Sequence, residues 1–505
     1  MKRLQNTTPE EDGPSLSDIV RWTQALMDLH KRIAPHFARP EPREHARLYL
    51  QAVLSDIPRK NGWQVAEHAR QERPYGMQRL LSKAVWDADR VRDELRSAVL
   101  DALGRGDQGQ GAPADANAIY PVMGVDETAF PKRGKCSAGV QKQHCGTTGR
   151  VENCQVAVFL NSVTARGHAL IDRELYLPQE WLGDPQRCQK AGIPETVALR
   201  TKGELAKRMI ERARDAHLPI RWVVGDTVYG HGRDLRTWLE EQGYSHALAV
   251  PCNEVACVGT SEDCLLSDVA TIAQQRLHEQ DWQRLSMSQG TKGPRAFDWA
   301  ILPLLHRGEV DGRHWLVIRR CLDDPSEKAY YFVFAPKGCT LQTIVSAIGA
   351  RWKIEEDFEK TKDIGLDDYE VRSYVGWYRH VTLVLLAYAF LVGICVQEES
   401  GSFESDKDVQ TQKPSSPESA ASHAHAKPSD PLQESSHLSA HGELEDASPS
   451  PPLIPLTTAE VRHLLARLIW PAPASVTLVR AWSHFRRSHQ SWASFYHTKR
   501  RLKAG

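Results

Sequence analysis

The chain has 505 residues, enough for two or three domains with cores of their own. Lys plus Arg equals Asp plus Glu, 64 of each, so the formal net charge is zero. That balance excludes a chain that is basic throughout, and any polyanion must be met by cations concentrated locally. The ten cysteines include no Cys-x2-Cys pair, and Cys252, Cys257 and Cys264 have no fourth Cys or His at zinc spacing beside them. They read as reduced thiols of a cytoplasmic protein. Residues 1–14 are polar and acidic, unlike a signal peptide, and read as a disordered N-terminus. The longest apolar stretch, residues 381–396, is short for a membrane span and holds Thr382, Tyr388 and Gly393, so it predicts a core helix and no membrane.

Residues 15–103 read as helical. Trp22, Leu26, Leu29 and Ile33 keep a 3.6-residue period, and Asn61-Gly62 opens a short helix. Arg59, Lys60, Arg70, Arg73, Arg79 and Lys83 lie among these short helices. The pattern fits a helix-turn-helix DNA reader, or equally a plain bundle with solvated cations. Residues 104–117, rich in Gly, Ala, Asp and Gln, read as a linker. Strands at 118–126, 155–161 and 169–177 are followed by alternating helix and strand to residue 250, an α/β core. From 251 to 336 the alternation lapses and three strand-length apolar runs predict a β-rich insertion. There Trp282 and Trp299 are candidates for stacking on an unpaired base, with packing as the alternative, and Lys292 and Arg295 for phosphate contact. The core resumes over 337–396. Residues 397–452, dominated by Ser, Pro, Glu, His and Ala, read as a disordered linker. The tail, 453–505, interleaves Arg486, Arg487, Arg500 and Arg501 with Trp482, Phe485, Trp492 and Tyr496, which suits nucleic-acid contact or a helix with its aromatics turned inward.

Two apolar runs end in an acid: Val122-Met123-Gly124-Val125-Asp126 and Trp222-Val223-Val224-Gly225-Asp226. Strands buried on both faces read this way, and an Asp at such a strand end sits at the sheet rim, where sites are built. Residues 351–362 read as helix. At roughly 100° per residue, Arg351, Glu355 and Lys362 fall within about 40° of one another. Ile344, Ile348 and Trp352 form a stripe that can dock the helix. An acid between two cations suits a site for a metal and a phosphate, although ion pairs at helical spacing have the same appearance. Asp126, Asp226 and Glu355 can together hold two divalent ions for phosphodiester chemistry. Glu127 points to the opposite strand face and reads as a supporting group.

These stretches, with Lys135-Cys136-Ser137-Ala138-Gly139-Val140-Gln141, Gly149-Arg150-Val151-Glu152-Asn153-Cys154-Gln155, the run from Ala169 to Pro178, and Gly376-Trp377-Tyr378-Arg379-His380, make the chain resemble a known family. It resembles the DDE transposases of bacterial insertion sequences, in the branch with a Tyr-x2-Arg-x3-Glu-x6-Lys signature, and most of all the group numbered seven hundred and one. Ile348 occupies the signature's Tyr position. The resemblance implies a ribonuclease-H-like catalytic core interrupted by the β-rich insertion, with an N-terminal helical DNA-binding domain and a basic C-terminal helical tail. It implies DNA cleavage and strand transfer, with Asp126, Asp226 and Glu355 holding two Mg²⁺ ions (Mn²⁺ substituting) and Arg351 and Lys362 beside the scissile phosphate. The implied partners are double-stranded transposon ends and target DNA, met as a homodimer in the nucleoid. The competing readings are a structure-specific endonuclease of the same fold that cuts without joining, and a transposase-derived DNA-binding protein without catalysis.

Overall fold

The structure is a computed structural model that describes residues 14–104, 117–260, 263–290, 293–410, 455–470 and 475–504. The expected disordered N-terminus, all but the ends of the 104–117 linker, Lys292, and the linker from residue 411 onward lie outside the described residues.

Five helices come first: α1 (Leu16–Ile33), α2 (Pro40–Leu54), α3 (Gly62–His68), α4 (Tyr75–Ser82) and α5 (Ala88–Leu103). A capping box between Ser15 and Asp18 starts α1, and the stripe Ile19, Trp22, Leu26, Leu29 and Ile33 is buried. The core follows as β1 (Val122–Pro131), β2 (Gln141–Cys145), β3 (Arg150–Thr164), β4 (Gly167–Leu175), α6 (Gln179–Leu182), α7 (Pro185–Ala191), α8 (Lys202–Asp215), β5 (Trp222–Gly225), α9 (Thr227–Gly230), α10 (Arg233–Glu241) and β6 (Ser245–Val250). Next are β7 (Val255–Gly259), β8 (Cys264–Asp268), α11 (Val269–Arg276), β9 (Gln283–Gly290), β10 (Gly293–Pro303), β11 (His314–Arg320) and β12 (Lys328–Phe334). The chain closes with α12 (Leu341–Ala350), α13 (Trp352–Asp363), α14 (Tyr374–Gln410), α15 (Thr458–Leu464) and α16 (Val476–Ala504).

Among the described residues the main sheet has ten strands, in the order β2-β3-β1-β5-β6-β12-β11-β10-β9, with β4 also paired to β3. β1 runs parallel to β5, and β5 parallel to β6, while β1, β3 and β4 pair antiparallel. The architecture is therefore mixed α/β. The residues between β6 and α12 extend the core sheet rather than building a sheet apart. β12 hydrogen-bonds along β6 from Tyr330↔Val250 to Phe334↔His246, covering an edge that would otherwise be open. Only β7 and β8 form a separate pair. There Cys257 and Cys264 stand at diagonal positions, Cα atoms 6.3 Å apart, joined as a disulfide, so the expectation of reduced thiols throughout fails for this pair.

The apolar run at 381–396 lies within α14, and 83 % of its most apolar window is buried inside the protein. It packs against α5, α2 and β4, which joins the N-terminal helices and the sheet in one hydrophobic cluster. The helix continues to Gln410, past residue 397 where the composition changes. Helix α16 docks on α3: the Trp482 indole donates to Gln71 O at 2.9 Å, and Phe485 meets the Trp63 ring edge-on.

Candidate active site

β1 and β5 pair in parallel through Val125↔Gly225, so Asp126 and Asp226 are the next residues on two neighbouring strands. Asp226 ends its strand as the N-cap of α9, its Oδ1 accepting from Val228 N at 2.9 Å. Gly230 closes that turn because any Cβ there would lie 1.9 Å from Ala249 O. The strand expected to end at Asp126 instead runs on to Pro131, because β3 pairs with it along that length, so Asp126 lies midway along β1. Across from these two acids, α12 passes into α13 at Arg351. The expected single helix is thus two, and α13 starts at Trp352. Gly349 lets α12 reach β9, since a Cβ would sit 2.4 Å from Met287 O. Arg351 Nη1 lies 3.3 Å from Asp126 Oδ2, and its Nη2 donates to Glu355 Oε1 at 2.8 Å. One guanidinium thus joins the β1 acid to the α13 acid.

The electrostatics are those of a carboxylate cluster short of cations. Burial first, then the charge of Asp226, pushes the Asp126 carboxyl up to about 7, with Arg351 pulling the other way. Burial and the Glu127 charge also raise Asp226. Burial works against the charge of Arg351, but Asp126 and Glu355 outweigh it and raise its pKa. Glu127 turns to the other strand face, where Lys202 pairs with Oε1 and the Tyr229 hydroxyl donates to Oε2 at 2.7 Å. Lys202 opens α8 and Tyr229 lies three residues beyond Asp226. Their part was not evident from the sequence, where only the Asp226-Thr227-Val228-Tyr229 run hinted at it.

The register of α13 is fixed from behind. Asp357 is fully buried and accepts from Asn161 Nδ2 at 2.9 Å and from the Tyr388 hydroxyl at 2.8 Å, and it meets His168 Nδ1 at 2.8 Å. Asn161 lies opposite Gly124 in the unbroken β1–β3 register, and its side-chain oxygen also accepts from Gly124 N at 2.9 Å. On its other side the β3–β4 pairing shifts register, leaving Ile171 of β4 as the extra residue. Glu356 lies to the flank, bonded to Lys353 and beside His168, which holds its carboxyl down near about 2. Glu355 is left on the face toward Arg351 and Asp126.

The remaining candidates are scattered. Lys362 does not reach the acids: its Nζ lies 3.4 Å from Thr147 Oγ1, and burial lowers its pKa. Trp299 is fully buried against Phe297 and Tyr331, so it packs β10 and offers no face to a base. Trp282 is half-buried beneath the Arg320 guanidinium. Arg295 is exposed, its guanidinium 5.3 Å from the Trp352 ring centre. Arg486 pairs with Glu67 at 2.6 Å, whereas Arg487 is exposed. Arg500 and Arg501 lie in α16. Of the N-terminal cations, Lys60 is buried, with Nζ donating to Ser55 O at 3.0 Å.

Residues 32–262 match the model of a DDE superfamily endonuclease, and residues 193–390 that of a transposase DDE domain. The first match spans Asp126 and Asp226, the second Asp226 and Glu355. The chain is 22 % identical over 326 residues, 64 % of its own length and 75 % of the relative's, to the probable transposase for insertion sequence element IS701 of Microchaete diplosiphon. Among solved structures, the piggyBac transposase synaptic complex with hairpin DNA matches with a TM-score of 0.41 and 10 % identity, over 76 % of this chain and 73 % of that one. Two overlapping family models and the shared sequence with an insertion-sequence transposase lead to one conclusion: this chain belongs to the DDE transposase superfamily.

Proposed function

We propose that the chain binds the terminal repeats of its own insertion sequence, cleaves DNA at those ends and joins the freed 3′ ends to target DNA, a cut-and-paste transposition. The observation that carries this reading is the meeting of Asp126, midway along β1, and Asp226, just past the end of the neighbouring parallel strand β5, with Glu355 through Arg351. The run β4-β3-β1-β5-β6, antiparallel and then parallel, supports a ribonuclease-H-like core.

The donor set is all carboxylate, without His or Cys, and the raised pKa of Asp126 marks a negative charge in want of a partner. Both features fit a hard divalent cation, so Asp126, Asp226 and Glu355 would hold two Mg²⁺ ions, with Mn²⁺ as a substitute. Divalent ions bound there supply the Lewis acidity that phosphodiester cleavage and joining require. The protein's own groups set the geometry. Arg351 holds Asp126 and Glu355 toward each other and supplies positive charge beside the scissile phosphate. Lys202 and Tyr229 fix Glu127, whose charge still bears on both Asp126 and Asp226. Asp357 pins α13 so that Glu355, not Glu356, faces the two aspartates. The partners are two double-stranded DNAs, transposon end and target, handled by two copies of the chain. The exposed Arg295 and Arg487, with Arg500 and Arg501, are the cations offered for their phosphates.

Incubation with a DNA carrying the element's ends, in Mg²⁺, tests the reading. Excised ends and joined products are expected. Cutting without joining would leave the endonuclease reading, and end binding without cutting would leave a DNA-binding protein.

A further inference from the structure

A second cluster of metal-ligating side chains lies away from the acids, where the β10–β11 hairpin meets the end of α10. Glu240 lies in the last turn of α10, His306 sits at the turn of the hairpin, and His314 begins β11. One potential ligand atom from each lies within 4.8 Å of the others. His314 Nδ1 is engaged by Asp311 Oδ2 at 2.7 Å, which fixes the ring and directs Nε2 toward Glu240. This is the carboxylate–histidine arrangement that orients metal-ligating imidazoles. His314 Nε2 lies 3.4 Å from Glu240 Oε2 but makes no hydrogen bond. The other Glu240 oxygen is held by His246 Nε2 at 3.2 Å. The His306 ring stacks on His314, centroids 4.1 Å apart and planes within 2°, and its nitrogens have no hydrogen-bond partner among the described residues.

We propose that Glu240, His306 and His314 form a second metal site, for a zinc-class transition ion, which clips the β10–β11 hairpin to α10. Two imidazoles and one carboxylate are a recognised zinc donor set, and nitrogen donors select such an ion over Mg²⁺. Ligand atoms around a tetrahedral zinc stand roughly 3.4 Å apart, so the present cluster needs a modest closure. His306 can supply it, because it lies at the turn, where its ring can swing out of the stack. A proton on His314 would satisfy Glu240 alone and leave His306 without a role. The hairpin belongs to the segment between Asp226 and Glu355, and α10 follows the Asp226 turn. A metal here would therefore brace the extended sheet against the core without touching the acids.

The test uses the full chain, stripped with chelator and dialysed against Zn²⁺ in excess Mg²⁺. Expected is one retained Zn²⁺ per chain and a raised melting temperature, both lost in His306→Ala and kept in Asp226→Asn. Co²⁺ should give a tetrahedral visible spectrum that His306→Ala abolishes and His306→Cys, another zinc ligand, restores. His306→Ala without metal should melt as the stripped wild type does, which separates loss of a ligand from misfolding. Equal zinc in wild type and His306→Ala, or loss of zinc in Asp226→Asn instead, overturns the proposal. Neither result bears on the transposase reading, which is decided by cleavage and joining.

Discussion

Two aspartates in this molecule, the fully buried Asp172 and the largely sheltered Asp126, have opposite fates. Asp172 on β4 is surrounded by arginines. Arg96 pairs with it directly, Arg212 Nη2 lies at 2.9 Å, Arg173 Nη1 at 3.5 Å and Arg92 Nη1 at 3.9 Å. Burial alone would raise its pKa, but Arg212 and the other guanidiniums outweigh burial and hold it down near about 2. Asp126 has one guanidinium, which it shares with Glu355, and two acidic neighbours, and it is pushed up to about 7. The first carboxylate is oversupplied with cations and ties α5, β4 and α8 together. The second is undersupplied, which is the mark of a place built to receive positive charge from outside. Burial is common to both, so the local count of cations separates structural from functional acid.

The largest effects should fall on the undersupplied cluster. Asp226→Asn keeps the shape and loses the charge, and is expected to abolish cleavage while sparing end binding, read by paired gel-shift and cleavage assays. Glu355→Gln is expected to lower cleavage and joining by at least about 10²-fold. Glu356→Gln, which removes a flanking charge already paired with Lys353, should cost far less. An active Glu355→Gln beside a dead Glu356→Gln would mean that the Arg351 face is not the catalytic one.

The oversupplied cluster should respond in stability instead. Asp172→Asn leaves buried guanidiniums uncompensated and is expected to destabilise the fold by roughly 3 kcal/mol, measured by urea unfolding. Retained end cleavage in whatever folds would confirm the contrast, and an unchanged midpoint would break it.

His380 offers a pH-dependent version. It is buried, accepting from the Tyr49 hydroxyl at Nδ1 and donating from Nε2 to Gly365 O, and burial lowers its pKa to about 4. A folded pKa below the unfolded 6.5 favours the neutral ring. The stability is therefore complete above about pH 6.5 and falls as pH drops toward about 4, by up to about 3 kcal/mol. Urea midpoints across that window should fall steeply in wild type and less in His380→Gln; equal slopes would remove His380 as the cause.

The smallest expected effect is that of Asp357→Asn, which keeps volume but weakens the anchor of α13. A loss of about 1–3 kcal/mol in stability is expected. A fall in kcat larger than any change in end binding should accompany it, because the anchor acts through Glu355. Unchanged kcat would make Asp357 purely structural.

The sequence by itself determined the elements whose chemistry is local. Continuous apolar runs leading into Asp126 and Asp226 made two buried strands, and helical spacing put Arg351 one turn before Glu355. Strand β5 ends before Asp226 as expected, whereas β1 continues past Asp126 to Pro131, because pairing with β3 carries it on. The amphipathic stripe of α1 was legible for the same reason, since side-chain periodicity is a property of neighbouring residues. Tertiary structure alone decided which cations meet which acids. Arg351 and Lys362 share a helix face by angle, yet they stand about three turns apart, and only Arg351 reaches Asp126 and Glu355. Trp299 could have stacked on a base or packed a core; its place in the middle of an extended sheet, with β9 and β11 on either side, buried it. Nor could spacing show that β12 would pair with β6, or that Glu240, His306 and His314 would meet across more than 60 residues of chain. Those contacts are made between elements distant in sequence, and their free energy comes from burying surfaces that no local pattern describes.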